Sequence, residues 1–101
     1  MNKEQIKSIL SELVRGEPLR KEIQRLALFG SYVTGNATDS SDVDVLVDFE
    51  PEAHIGLFRF VRIQRAFADA LGRKVDLVTP QALSKFIRDD VLRRAEVFYE
   101  K

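Results

Sequence analysis

The segment Asp42–Phe49 constrains the fold of this chain more than any other part of the sequence. Its β-branched residues alternate with mostly acidic ones, Val43, Val45 and Val47 standing between Asp42, Asp44, Leu46 and Asp48. Successive side chains of a strand point to opposite faces of a sheet, so this period of two predicts a β-strand. The chain must therefore build a sheet around this segment.

Two shorter segments predict further strands. Arg25–Phe29 is an apolar run that stops at Gly30, and Lys74–Val78 is rich in β-branched residues. Runs of this length with a glycine boundary suit buried strands better than helices. The polar stretch from Gly30 to Ser41 is expected to be a loop, with one helical turn at residues 31–35 that ends at Gly35.

Helical spacing of apolar residues appears on either side of these strands. A first helix is predicted up to Gly16 and Pro18 from the spacing of Ile6, Ile9, Leu10, Leu13 and Val14. Between Ile55 and Leu71 a broad apolar stripe predicts a core helix with a solvated face that carries Arg59, Arg62, Arg65 and Arg73. The order of elements indicates an α/β fold.

The C-terminal region is predicted to be helical from Thr79 and Pro80 onward. Thr79 is a suitable N-cap with proline at the first helical position, and apolar residues keep helical spacing at Leu83, Phe86, Ile87, Val91, Leu92, Ala95 and Phe98. Asp89-Asp90 is equally suited to cap a second helix. One helix and two helices therefore remain alternatives.

Length and composition exclude several classes of protein. A chain of 101 residues predicts a single domain, residues 1–101, and no segment has the roughly 18 consecutive apolar residues of a membrane span. Polar residues at the N-terminus are unlike a secretory signal, which favours a cytoplasmic location. With no cysteine and one histidine, His54, a bound metal is expected to have oxygen ligands. Sixteen basic and sixteen acidic residues balance, so direct nucleic-acid binding is not expected.

Three aspartates stand out as candidate metal ligands. Asp42 and Asp44 lie two apart in a strand, so their carboxylates share one face with Cα atoms about 6 to 7 Å apart. Asp76 interrupts the apolar run Val75–Val78, where a carboxylate needs a partner: a metal ion, or Arg73 or Lys74 in an ion pair. If the two strands are neighbours, three carboxylates converge on one rim of the sheet. Such an oxygen-rich site suits two Mg²⁺ ions that hold a triphosphate.

Gly30 and Ser31 are candidate phosphate ligands. They follow the first predicted strand, where glycine allows phosphate oxygens to approach the backbone N–H groups and the Ser31 hydroxyl supplies another donor. An ordinary turn is the alternative for this pair taken alone. Asp48 is interpreted as a solvated strand end, and His54, Tyr32 and Tyr99 as loop or packing residues.

The spacing Gly30-Ser31, ten residues, Asp42-Val43-Asp44 within LFGSYVTGNATDSSDVDVLVDF resembles the signature of the DNA polymerase β-type nucleotidyltransferases. GRKVDLVTP is similar to the strand that carries their third carboxylate, Asp76. The likeness covers about residues 26–99, and the short chain and its ending resemble the minimal nucleotidyltransferases. One departure is Thr34 before Gly35, where many members have Arg.

This resemblance implies a polymerase β-like fold with a small mixed sheet flanked by helices. It implies Mg²⁺-dependent transfer of AMP from ATP to a tyrosine of a HEPN-domain toxin, with the chain acting as the antitoxin in a hetero-oligomer. Asp42, Asp44 and Asp76 are then the catalytic metal ligands, and Gly30 and Ser31 bind the phosphates. Two other functions remain: a module that neutralises a HEPN partner by binding alone, and a transferase for a small molecule.

Overall fold

Four strands form one sheet in the computed structural model, which describes residues 1–101. The strands are β1 (Ile23–Phe29), β2 (Val43–Phe49), β3 (Val75–Val78) and β4 (Glu96–Glu100), in the order β3-β2-β1-β4. β1 pairs antiparallel with both β2 and β4, whereas β2 and β3 are parallel. This mixed sheet, flanked by helices, confirms the predicted fold class.

Five helices and one 3-10 turn complete the chain. The helices are α1 (Lys3–Val14), α2 (Leu19–Glu22), α3 (Ser31–Thr34), α4 (Leu57–Leu71) and α5 (Lys85–Arg94), and the 3-10 turn is Pro80–Ala82. α1 begins with a capping box, in which the side chain of Asn2 accepts from the N–H of Gln5 and the side chain of Gln5 accepts from the N–H of Asn2. α4 ends at Gly72, whose φ of 64° is easily adopted by glycine.

The core lies between one face of the sheet and helices α1 and α4. Its fully buried residues come from β1, from the alternating positions of β2 and from one stripe of each helix: Ile23, Leu26, Leu28, Val43, Val45, Val47, Ile6, Leu10, Val14, Ile63 and Phe67. The opposite face of β2 carries Asp44, Leu46 and Asp48. The period of two therefore places Asp44 on the face that α1 and α4 do not cover.

The prediction of a helical C-terminus is correct only in part. α5 begins after Ser84, whose Oγ accepts from the N–H of Phe86 at 3.2 Å, so Asp89-Asp90 lies inside a helix and caps nothing. Residues 96–100 form β4 rather than continuing the helix. The edge of β1 offers hydrogen bonds to this segment, and Lys3 and Lys7 of α1 hold Glu96 at its start. These tertiary partners outweigh the helical spacing.

Two other sequence predictions need correction. The apolar stripe of α4 does not lie wholly in the core, because Leu57 is 73% and Val61 42% exposed. Arg59 is not simply solvated, since its Nε donates to Glu22 Oε2 at 2.8 Å. The sequence also gave no signal for α2, which is a single turn.

Candidate active site

The sheet places Asp44 and Asp76 side by side. β2 and β3 are neighbours, and their parallel register aligns Asp44 with Asp76, while Asp42 stands one residue before β2 begins. Neighbouring strands lie about 4.8 Å apart. The structure therefore brings all three predicted carboxylates to one rim, at the start of β2 and β3.

Asp44 is a partly buried anion without a partner. No side chain forms an ion pair with it, and no side-chain hydrogen bond reaches its carboxylate. Its pKa is raised above the ordinary value, first by desolvation and then by the negative charges of Asp76 and Asp42. The protein thus leaves negative charge uncompensated at this rim, which a bound cation would neutralise.

Gly30 packs directly against this carboxylate. Its φ of 74° and ψ of −146° lie in a region that only glycine adopts readily. A β-carbon built on Gly30 would overlap Oδ2 of Asp44 and lie 3.0 Å from its Cγ. Glycine is required here both by the backbone conformation and by the close approach of Asp44.

Ser31 begins the short helix α3 immediately after Gly30. The carbonyl oxygen of Gly30 accepts from the N–H groups of Val33 at 3.0 Å and Thr34 at 3.1 Å, and Gly35 ends the turn with a φ of 85°. The predicted helical turn that ends at Gly35 is confirmed. Ser31 is partly exposed beside the carboxylate rim, so its hydroxyl is accessible to a ligand.

Asp76 is exposed, which corrects the argument that its burial demands a partner. Its side chain points to the open face of the sheet, whereas the adjacent Val75 and Leu77 are buried. Neither Arg73 nor Lys74 forms an ion pair with it. Lys74 Nζ instead lies 3.8 Å from Asp42 Oδ2, with the lysine side chain 81% exposed.

Arg73 is a residue near the site that the sequence interpretation missed. The helical stripe suggested a solvated position, but α4 ends before Gly72, so Arg73 lies in the connection to β3. Its guanidinium contacts the segment before Asp42 and the ring of Tyr32. Gly72 is the sequence feature that could have indicated this, because a glycine that ends the helix leaves Arg73 outside it.

The donor set fits a cation that arrives together with a ligand. No group of three or more His, Cys, Asp or Glu side chains is arranged so that it could hold a metal ion by itself, and this includes Asp42, Asp44 and Asp76 taken together. Mg²⁺ commonly takes only one or two carboxylates and completes its shell with water and substrate phosphates. Carboxylates on an open rim, beside the Gly30-Ser31 turn, match that preference.

The rim is an open surface rather than a deep pocket. None of the five main cavities is lined by Asp42, Asp44 or Asp76. The most apolar of them lies at the far end of β3, lined by residues that include Leu57, Phe60 and Leu77. The chain itself therefore builds no enclosed acceptor pocket beside the carboxylates.

None of its helices has the length and apolar character needed to cross a bilayer.

Comparisons with known proteins agree with this geometry. The family model of the nucleotidyltransferase domain matches residues 3–98. The protein adenylyltransferase MntA of Thermococcus cleftensis is 40% identical over 96 residues, which cover 95% of this chain and 93% of the relative. The stretch of this chain that the family model matches contains Gly30, Ser31 and the three aspartates.

Solved structures share the same architecture. One, described as a minimal nucleotidyltransferase, is 31% identical, superposes with a TM-score of 0.71 and aligns over 94% of each chain. Another is a complex of an AMPylated HEPN toxin of Shewanella oneidensis with an MNT antitoxin; it is 21% identical, with a TM-score of 0.69, and covers 97% of this chain and 72% of that one. At 21% identity, the likeness to this second structure supports the fold alone.

Proposed function

This chain belongs to the nucleotidyltransferase domain family, and we propose that it transfers AMP from ATP to a hydroxyl group of a partner protein. The single observation that carries the proposal is the partly buried Asp44 carboxylate, which has no cationic partner and stands between Asp42, Asp76 and the Gly30 turn. An uncompensated anion at this position is best explained by a cation bound in the working state.

Each site residue has a distinct role in the proposal. Asp42 and Asp44 would hold two Mg²⁺ ions, Asp76 would be a further carboxylate ligand on the acceptor side, and Gly30 and Ser31 would bind the β and γ phosphates. When bound, Mg²⁺ supplies positive charge that offsets the triphosphate and stabilises the attacking and leaving oxygens. The aspartate carboxylates fit Mg²⁺ because they are hard oxygen donors, the ligand type that this ion prefers.

The reaction exchanges one phosphorus–oxygen bond for another. The acceptor hydroxyl oxygen forms a bond to the α-phosphorus of ATP, the bond from that phosphorus to the oxygen bridging to the β-phosphate breaks, and pyrophosphate leaves. Asp76 receives the proton of the hydroxyl, a role for which its exposed carboxylate without an ion pair is suited. The Gly30 turn holds the departing phosphates in line.

The acceptor in this proposal is a tyrosine of a HEPN-domain toxin, and the chain acts as the antitoxin. An open rim without an acceptor pocket supports a macromolecular acceptor rather than a small molecule. The relative from Thermococcus cleftensis is by name a protein adenylyltransferase, and the Shewanella oneidensis complex pairs an MNT antitoxin with an AMPylated HEPN toxin. We propose that this chain acts as one domain, in the cytoplasm, in complex with such a partner.

Label transfer tests the proposed bond cleavage. The protein is incubated with its HEPN partner, Mg²⁺ and ATP labelled at the α-phosphate or, separately, at the γ-phosphate. The partner should retain label only from the α-phosphate, and the chain with Asp42→Asn and Asp44→Asn should transfer none. Label from the γ-phosphate would indicate a kinase instead, and no label from either position would refute the proposed transfer.

A further inference from the structure

Arg73 holds the segment that leads into Asp42. Three backbone carbonyl groups accept from its Nη2: those of Thr38 at 3.3 Å, of Ser41 at 3.2 Å, and of Asp39. All other hydrogen bonds of residues 37–41 stay within their own turn. Arg73 is therefore the only hydrogen-bonded attachment of this turn to the rest of the protein.

The backbone of Arg73 is itself fixed on both sides. Its N–H donates to the carbonyl of Ala68 at 3.2 Å in the C-cap of α4, and two residues later Val75 pairs with Val43 in the sheet. The guanidinium thus extends from a rigid corner between a helix and a strand. It can therefore hold the turn 37–41 in a fixed position.

The same guanidinium also contacts the phosphate-binding turn. Its central carbon lies 5.8 Å from the ring centre of Tyr32, the second residue of α3. Tyr32 is only 8% exposed, and its buried hydroxyl has no hydrogen-bond partner. Packing and the contact with Arg73, rather than hydrogen bonding of the hydroxyl, hold this ring in place.

We infer that Arg73 is a positioning residue that fixes Asp42 relative to the Gly30-Ser31 turn. The inference rests on the proposed function of the site. A guanidinium serves several carbonyl acceptors at once and stacks on an aromatic ring, which suits it to joining two segments. Without it, the turn 37–41 keeps only the packing of Ala37 on the core, and Asp42 is held at the rim from one side alone, through the pairing of Val43 with Val75. A misplacement of about 1 Å in a reacting assembly costs up to about a hundredfold in rate.

The test uses Arg73→Met, which keeps an unbranched apolar stem and removes all donors. At saturating ATP, kcat for AMP transfer should fall by about tenfold to a hundredfold. The Mg²⁺ concentration that gives the half-maximal rate should rise. NMR order parameters of the backbone N–H groups of residues 37–41 should also fall, in protein without nucleotide. Arg62→Ala is the matched control, because Arg62 is an exposed arginine of α4 without an ion pair, and it should behave as wild type.

Arg73→Lys completes the series, since an ammonium group donates hydrogen bonds but lacks the planar fork and the stacking surface. The kcat and the Mg²⁺ requirement of Arg73→Lys should lie between those of wild type and Arg73→Met. If Arg73→Met does not fold, the values for Arg73→Lys test the inference. Wild-type kcat and Mg²⁺ requirement in these variants, even with a lowered Tm, would overturn the inference. If the wild-type protein transfers no AMP, the proposed function fails, while the order parameters and the calorimetric affinity for Mg²⁺ with ATP still decide the role of Arg73.

Discussion

The carboxylate of Asp44 occupies the space that a β-carbon on Gly30 would need. Gly30 directly follows β1. Asp44 lies near the start of β2, where it pairs in register with Phe29, the last residue of β1. The glycine of the proposed phosphate-binding turn and the central proposed metal ligand are therefore in direct contact. A change at either residue acts on both halves of the site.

Gly30→Ala is expected to impair both stability and nucleotide binding. The backbone conformation alone costs about 1 to 3 kcal/mol for a residue with a β-carbon, and the overlap with Asp44 displaces the carboxylate. Gly35→Ala is the control, because Gly35 also has a positive φ but its β-carbon would meet nothing within 4 Å. Urea unfolding and calorimetry with Mg²⁺ and ATP should show the larger loss for Gly30→Ala.

A double-mutant cycle separates the overlap from the backbone strain. In an Asp44→Ala background the overlap with Oδ2 and Cγ is removed and only the 3.2 Å contact with the β-carbon of residue 44 remains, so Gly30→Ala should lower the free energy of unfolding by less than it does in wild type. Equal losses in the two backgrounds would mean that the contact between Gly30 and Asp44 has no energetic weight.

Replacing Asp42 and Asp44 by Asn should remove metal-dependent nucleotide binding and leave the fold intact. The carboxylates repel one another without a cation, so the double variant in EDTA should be as stable as wild type or more stable, by about 1 kcal/mol or less. Calorimetry should show ATP binding that no longer depends on Mg²⁺. Equal ATP affinity in wild-type protein with Mg²⁺ and with EDTA would contradict the metal site.

Asp76→Asn is expected to separate chemistry from binding. ATP affinity should stay within a few-fold, while the rate of AMP transfer falls at least about a hundredfold, the range of a positioned acid–base group. Asp48→Asn is the control, since Asp48 lies farther along the same face of β2 and has an ionic partner in Arg25 at 3.9 Å. Full transfer activity in Asp76→Asn would remove the assigned role.

The hydrogen bonds that Glu96 accepts from Lys3 and Lys7 predict a pH-dependent contribution to the free energy of unfolding. Hydrogen bonds from Lys7 and then Lys3 lower its pKa below the ordinary value of 4.5. A lowered folded-state pKa stabilises the protein above the unfolded pKa, and this stabilisation is lost as the pH falls through the folded value. Glu96→Gln should therefore lower the free energy of unfolding at neutral pH by about 1 kcal/mol or less. Urea titrations should show that the difference disappears in acid; a difference that is constant with pH would contradict the assignment.

Local patterns were sufficient to predict the centre of the fold. The alternation in β2 depends on neighbours two residues apart, and the boundary at Gly30 depends on backbone conformation. These features were enough to predict β1, β2, β3 and the α3 turn. The pairing of Asp44 with Asp76 followed once β2 and β3 were assumed to be neighbours.

Features set by distant partners were not predictable in the same way. Residues 96–100 form a strand because the edge of β1 pairs with them, and no local period indicates this. The exposure of Asp76 depends on which face of the sheet the helices cover. The contact of Arg73 with residues 38–41 requires the parallel pairing of β2 and β3, which brings the two preceding loops together.

The intact mass of the HEPN partner tests the central claim most directly. After incubation with this protein, ATP and Mg²⁺, the mass should rise by one or more AMP units, and the partner's toxicity should fall, because each added AMP brings bulk and negative charge. A partner in which the acceptor tyrosine is replaced by Phe should keep its mass. If the partner is neutralised at unchanged mass, and equally by the chain with Asp42→Asn and Asp44→Asn, then binding alone accounts for its effect and AMP transfer does not.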